Sequence, residues 1–317
     1  MPDDGPSGRK SVVVAVGVLI GSLTAIQSRA NGSLATVLGN SLQAAVTSFV
    51  VGLVVLGASA LVIPGLRRAL VRLIDGVRTR AIPRWQLLGG VFGALFIYSQ
   101  SASVPTIGVA LFAVALVSGQ NAASLLVDGI GLGPKGRQPV SGYRVASAVM
   151  GIVAVVTAVA GRLGGADLSV PLVALCVAAG VGVAFQQATN GRVVASTGEP
   201  LVASYVTFAG GALILGLLLA VSSLATDTQL APLPAWPLWL YLGGIIGALW
   251  VAAASWVVGR VGVLSLGLLA TAGQLLGALV LDLLLTDVVE VNLVVGVGLA
   301  LLAVAIAGGP SVVRFRR

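Results

Sequence analysis

The side chains in this sequence that could do chemistry are mostly uncharged amides set in apolar runs. Gln120 and Gln274 fall well inside two such runs, and each amide offers two donors and an acceptor without charge. Polar groups are costly in hydrocarbon, so their positions carry information. The pair could hold a small polar solute, or it could bond one helix to another. Gln27 with Asn31, and Gln186 with Asn190, stand four residues apart, which puts each pair on one helical face. Such a face suits a gate or a substrate contact. The Asn-Gly steps Asn31-Gly32 and Asn190-Gly191 also read as helix C-caps. Asp128 and Asp282 lie near the ends of apolar runs. A desolvated carboxylate there could take up and release a proton, while one at the water interface would pair with a base such as Lys135 or Arg137.

These residues occur in copies. Gln27, Asn31, Gly32, Gly39, Leu42, Phe49 and Gly52 recur 159 positions later as Gln186, Asn190, Gly191, Gly198, Leu201, Phe208 and Gly211. Pro83, Trp85, Gly89, Gly90, Gly93, Gly108, Gly119, Gln120 and Asp128 recur 154 positions later as Pro237, Trp239, Gly243, Gly244, Gly247, Gly262, Gly273, Gln274 and Asp282. Matches among Leu, Val and Ala mean little in this composition; matches of Trp, Pro, Gln and Asp mean a great deal. The chain is an internal duplication, and in a membrane that points toward transport.

The elements that must carry these residues are membrane helices. The chain is 57% hydrophobic and 9% charged, far from the soluble balance of roughly half apolar and a quarter charged. Apolar runs of about 20 residues, enough to cross hydrocarbon, recur near 11–27, 40–63, 85–103, 107–127, 143–161, 170–190, 200–223, 238–258, 262–284 and 291–309. Backbone groups in lipid need internal partners, so the runs predict helices; the alternation of a β-barrel is missing. Net charge +8 with pI near 10.8 does not signal nucleic-acid binding, because the bases sit in short loops without an aromatic-basic platform. Cys176 is the single cysteine and there is no histidine, so no metal site or cofactor is expected and clustered catalytic groups are missing. The spelling Gly131-x-Gly133-x-x-Gly136 follows a membrane run rather than a strand, and no P-loop is present, so ATP hydrolysis is not expected. Ser28-Arg29-Ala30 imitates a signal-peptide cleavage site. The same Gln-x-x-x-Asn-Gly pattern ends the sixth run, where cleavage is impossible, which argues for a retained helix.

Loop charges set an orientation. With the N-terminus in the cytoplasm, 16 of the 18 Lys and Arg fall inside, and only Arg29 and Arg162 fall outside, as the positive-inside rule requires. The loop between runs two and three holds six arginines, whereas the matching loop of the second copy holds Asp227 and no base. Five runs per copy is odd, so the second copy enters upside down. The expected organisation is a cytoplasmic tail (1–10), a first five-helix repeat (11–165), a second inverted repeat (166–309) and a basic cytoplasmic tail (310–317). Gly17/Gly21, Gly89/Gly93 and Gly243/Gly247 are small-residue faces for close helix packing.

The Gln27…Asn31-Gly32 stretch, Trp85…Gly89-Gly90…Gly93-Ala94-Leu95, and Gly119-Gln120…Asp128, each with its copy, resemble the drug/metabolite transporter superfamily. Within it they resemble the YdcZ-like branch of inner-membrane exporters, with two five-helix units fused. The resemblance implies an all-α, EamA-like bundle of ten transmembrane helices, with helices 1, 3, 4, 6, 8 and 9 lining a central cavity. Tyr98 and Trp250 then fall on cavity-lining helices and could contact a flat or cationic substrate, or simply pack. The expected function is a secondary transporter of a small metabolite or amphipathic compound, exporting it by alternating access. It would sit in the bacterial inner membrane as a monomer or homodimer, with H+ or Na+ as the candidate coupling ion. A passive channel is the alternative. No acid lies in the first run, where small multidrug members of the superfamily carry one.

Overall fold

The computed structural model describes residues 6–134, 136, 137, 139, 141–160, 169–226, 229–285 and 290–308, with side chains at all of these except 6–14 and 251–266. The expected repeat junction near 162–169 falls mainly outside the described residues, as do Lys135, Asp227, residues 1–5 and the C-terminal tail. Every regular element described is helical.

Helix α1 spans Pro6–Leu38 and α2 spans Ser41–Val62. Asn40 caps α2 by accepting from the backbone N–H groups of Leu42 and Gln43, both at 3.0 Å. In the second copy, α6 (Val170–Thr197) is followed by α7 (Pro200–Thr226). The Asn-Gly steps do not end their helices, as the C-cap reading had it. The left-handed turns come later, at Gly39 (φ 62°) and Gly198 (φ 72°), a matched pair in which the missing side chain removes the steric cost of positive φ. Gln27, Asn31, Gln186 and Asn190 therefore project from helix interiors, against neighbouring helices.

The arginine-rich segment after α2 was expected to be a loop, yet it forms helix α3 (Pro64–Arg78). Proline suits its first turn. Leu66, Ala69 and Leu73 recur at helical spacing and bury against Ile82, Val193, Val202 and Ala203, which leaves Arg67, Arg68, Arg72 and Arg78 exposed. The i, i+3, i+7 pattern was the available signal; the density of arginine hid it.

Helix α4 (Gly89–Gly129) holds 41 residues and is broken at Gly108 (φ 79°, ψ 168°), just after Pro105. A straight α-helix of that length would run about 60 Å, twice the hydrocarbon thickness. Gly93 and Gln120 nevertheless line one small cavity, so the chain doubles back at the break. Helix α8 (Leu242–Leu285) does the same between residues 250 and 267, because Gly247 and Gln274 line that cavity too. Helices α5 (Gly142–Ala160) and α9 (Val291–Gly308) complete the bundle. Six helical segments are long and apolar enough to cross a membrane, and Leu238–Trp250 and Val291–Ala307 are shorter apolar helices, among the described residues.

The main packing exchanges elements between the copies. Helix α1 of the first copy lies against α8 of the second, and α6 of the second lies against α4 of the first. The contacts are reciprocal. Gly21 meets the backbone of Ala270 as Gly180 meets that of Leu116, and Gly273 meets Val18 as Gly119 meets Val177. Two helix-borne arginines tie one end together: Arg72 of α3 donates to the Thr197 carbonyl at 2.7 Å, and Arg192 of α6 donates to the carbonyls of Leu132 and Gly131 while lying over Trp85.

A Cβ at Gly180 would collide with the Leu116 carbonyl oxygen, whereas one at Gly57 meets nothing within 4 Å. Gly180→Val should therefore lower stability in detergent by about 1–3 kcal/mol or more, from overpacking. Gly57→Ala should leave the melting temperature unchanged or slightly higher. A thermal melt of both variants checks this, and equal shifts would contradict the packing account.

Candidate functional site

Helices α1, α2, α4, α6, α7 and α8 enclose a cavity of about 220 Å³. Gln27, Gln120, Gln186, Asn190, Trp250 and Gln274, all anticipated from the sequence, share its wall with Thr24, Phe49, Gly93, Phe96, Leu116, Ser204, Thr207, Phe208, Gly247 and Thr271. The wall draws matched pairs from both copies: Gln27 with Gln186, Gln120 with Gln274, Phe49 with Phe208, Gly93 with Gly247, and Phe96 with Trp250. Phe49 and Phe208 meet edge to face with centroids 5.2 Å apart, a favoured aromatic geometry.

The glycines make the room. A Cβ at Gly93 would lie 3.0 Å from Gln186 Nε2, and one at Gly247 would lie 3.2 Å from Gln27 Nε2. The lining of amides, hydroxyls and aromatic rings holds no charged side chain among the described residues. Two of its buried polar atoms, Gln274 Nε2 and Ser204 Oγ, have no hydrogen-bond partner. Buried polar groups normally have one, so a wall that leaves two open is poised for a ligand or water.

The two ends of the cavity differ, although their residues match. Asn31 is fully buried; its Nδ2 donates to Gln100 Oε1 at 2.7 Å, and Gln100 Nε2 donates to Ser28 Oγ at 2.9 Å. Asn31 is thus sealed beside the cavity rather than lining it. Its counterpart Asn190 is half-buried, faces the cavity and exchanges hydrogen bonds with Thr207. Next to it, Gln187 is exposed. The second copy has Ala254 where the first has Gln100, so the buried network cannot form the same way at both ends.

Tyr98, expected on a cavity-lining helix, lines a separate apolar pocket with Leu42, Val91, Leu215 and Leu218. It follows Ile97 by one residue, about 100° further round the helix than the stripe that faces the cavity. Asp128 pairs with Arg144, a base not among the two anticipated; of those, Lys135 lies outside the described residues. Asp282 accepts from the N–H groups of Val109 (3.1 Å) and Ala110 (2.8 Å). Those are the amides that the break at Gly108 frees, at the positive end of a helix dipole. Neither carboxylate lines the cavity.

Sequence reasoning missed Gln100, Ser28, Ser204, Thr207 and the aromatic pairs as parts of the site. Phe49/Phe208 and Phe96/Trp250 were findable, since each pair keeps an aromatic ring at the repeat displacement. Gln100 was not, because its partner Asn31 is 69 residues away in sequence.

The family model described as "Putative inner membrane exporter, YdcZ" matches residues 12–157 and again residues 171–308, once for each copy. A solved structure, titled only as a crystal structure of a protein, aligns over 93% of this chain and 95% of its own with TM-score 0.53 at 19% identity, which shows a shared fold. No curated protein matches the chain.

If Asp282 caps the broken helix, Asp282→Ala should cost about 1–2 kcal/mol of stability. The Asp128–Arg144 pair is 32% and 26% exposed at its side chains, so Asp128→Asn should cost under about 1 kcal/mol. Melting curves of the two variants should separate them in that order; the reverse order would remove the capping role.

Proposed function

The chain belongs to the YdcZ inner membrane exporter family, and on that premise we propose that it is a secondary transporter. It carries a small metabolite or amphipathic compound outward by alternating access between two inverted five-helix repeats, ten passes in all. The reciprocal contacts between copies support a twofold relation between the repeats, with its axis in the membrane plane and running through the Phe49–Phe208 contact.

One observation carries the reading. Asn31 and Asn190 are equivalent in sequence, yet the first is buried in a network with Gln100 and Ser28 while the second lines the cavity beside the exposed Gln187. In an alternating-access cycle, equivalent residues of inverted repeats exchange environments. On this reading the Asn190 side is the accessible one, and under the expected positive-inside topology it faces the cytoplasm. A passive pore would need a path past the sealed end, which favours the transporter. Gln120 and Gln274 are the proposed cargo contacts, with Gln27 and Gln186 beside them and Asn31 and Asn190 as gate residues.

The test is a substrate screen in proteoliposomes with imposed H+ and Na+ gradients, reading saturable counterflow. Gln120→Ala and Gln274→Ala should each weaken the apparent affinity about tenfold, the value of one hydrogen bond to cargo. Unchanged transport in both would remove the site, and unitary currents in place of counterflow would favour the channel. Gating has its own readout. In a Cys176→Ser background, Thr24→Cys should react with an impermeant thiol reagent from the open side only. Adding Gln100→Leu should admit reagent from the sealed side; no change in sidedness would rule out the Asn31 network as a gate.

A further inference from the structure

We infer that the cargo of this cavity is an uncharged, flat, hydrogen-bonding solute whose passage moves no net charge across the bilayer. The inference rests on the transport reading above and adds the chemical class of what is carried.

Every described polar side chain of the wall is an amide or a hydroxyl. Three described charged side chains close to the wall in sequence are directed elsewhere. Arg192 is engaged by Leu132, Gly131 and Trp85, Asp282 caps the helix at Val109, and Arg29 is outside the lining. An ion drawn into such a site would lose its hydration and meet no opposite charge, a cost of several kcal/mol. A neutral solute avoids that cost, because amides and hydroxyls can replace its water contacts one for one.

The unpartnered atoms narrow the class further. Gln274 is 9% exposed and its Nε2 can only donate, so the ligand must bring an acceptor. An ammonium brings none. A carboxylate brings one, together with a charge that no described Lys or Arg of the wall can balance. A carbonyl or a ring nitrogen fits. Ser204, 3% exposed, leaves Oγ free for a second bond. Phe49, Phe208, Phe96 and Trp250 line the cavity from both copies, and a planar ring is the shape that packs best against aromatic side chains. The volume, about 220 Å³, is below the range of about 300–1,000 Å³ usual for ligand sites, which suits a small solute.

The experiment uses the full chain and probes matched in shape but not in charge. Uracil and nicotinamide are neutral, orotate is the anionic relative of uracil, 1-methylnicotinamide is the cationic relative of nicotinamide, and phenylalanine is a zwitterion. Binding is followed by tryptophan fluorescence in detergent. Flux is followed in proteoliposomes under valinomycin-imposed potentials of either sign. The expected result is saturable binding of at least one neutral probe, with Kd about 1 mM or tighter. The charged relatives should bind at least tenfold more weakly, and flux should be indifferent to the potential. Gln274→Ala should weaken the neutral probe about tenfold, with Gln120→Ala as the second variant should the first fail to fold. Tighter binding of a charged or zwitterionic probe, flux that follows the potential, or failure of both neutral probes to saturate overturns the inference. Flux of a charged probe that Gln274→Ala abolishes would leave the transport reading intact. Saturable binding of a neutral probe with no flux of any probe would instead overturn transport and leave the ligand class.

Discussion

Helices in hydrocarbon gain nothing from hiding apolar surface, because lipid tails are as apolar as leucine. What holds them is proximity, and in this chain proximity is set by glycine. At Gly21 against Ala270, Gly180 against Leu116, Gly119 against Val177 and Gly273 against Val18, a side chain is missing where two backbones meet. Each crossing joins one repeat to the other. The first helix of each copy is clasped by the hairpin of its partner, so neither copy can reach this packing alone. The cavity follows from that exchange, because it is the space left where the two clasped units face each other.

The same economy governs polar groups. The break at Gly108 frees two backbone amides within a bundle where water is scarce, and a carboxylate from the other copy, Asp282, accepts from both. Ser118 and Ser22 return their hydroxyls to helix carbonyls. Several buried polar atoms have no partner, Ser101 Oγ, Ser103 Oγ and Asn31 Oδ1 among them; what distinguishes the open donor of Gln274 and the open hydroxyl of Ser204 is that both residues line the cavity.

Glycine seams also bear on motion. Backbones in close contact without interlocking side chains can rock against one another at small cost, while an amide network is made or broken as a unit. The molecule combines both: seams along α1–α8 and α4–α6, and a hydrogen-bonded plug at one end only. The absence of a Gln100 equivalent in the second copy, where Ala254 stands, means the two ends are not closed by the same chemistry. Twofold ancestry therefore does not give two identical ends.

The sequence by itself determined the membrane class, the duplication and most of the amides that line the cavity, since these depend on composition and on residue types recurring at fixed displacements. Gln27, Gln120, Gln186, Asn190, Trp250 and Gln274 were legible because a polar or aromatic residue repeated inside an apolar run leaves few readings. The ends of α1 and α6, the helix hidden among arginines at 64–78, and the place of Tyr98 were not. Each depends on which neighbour satisfies or covers a residue, and local pattern is silent on that. Only the tertiary structure decided that Asn31 is buried away from the cavity while Asn190 lines it. The two share their sequence surroundings, and what separates them is Gln100, brought to Asn31 by the folding of α4 against α1.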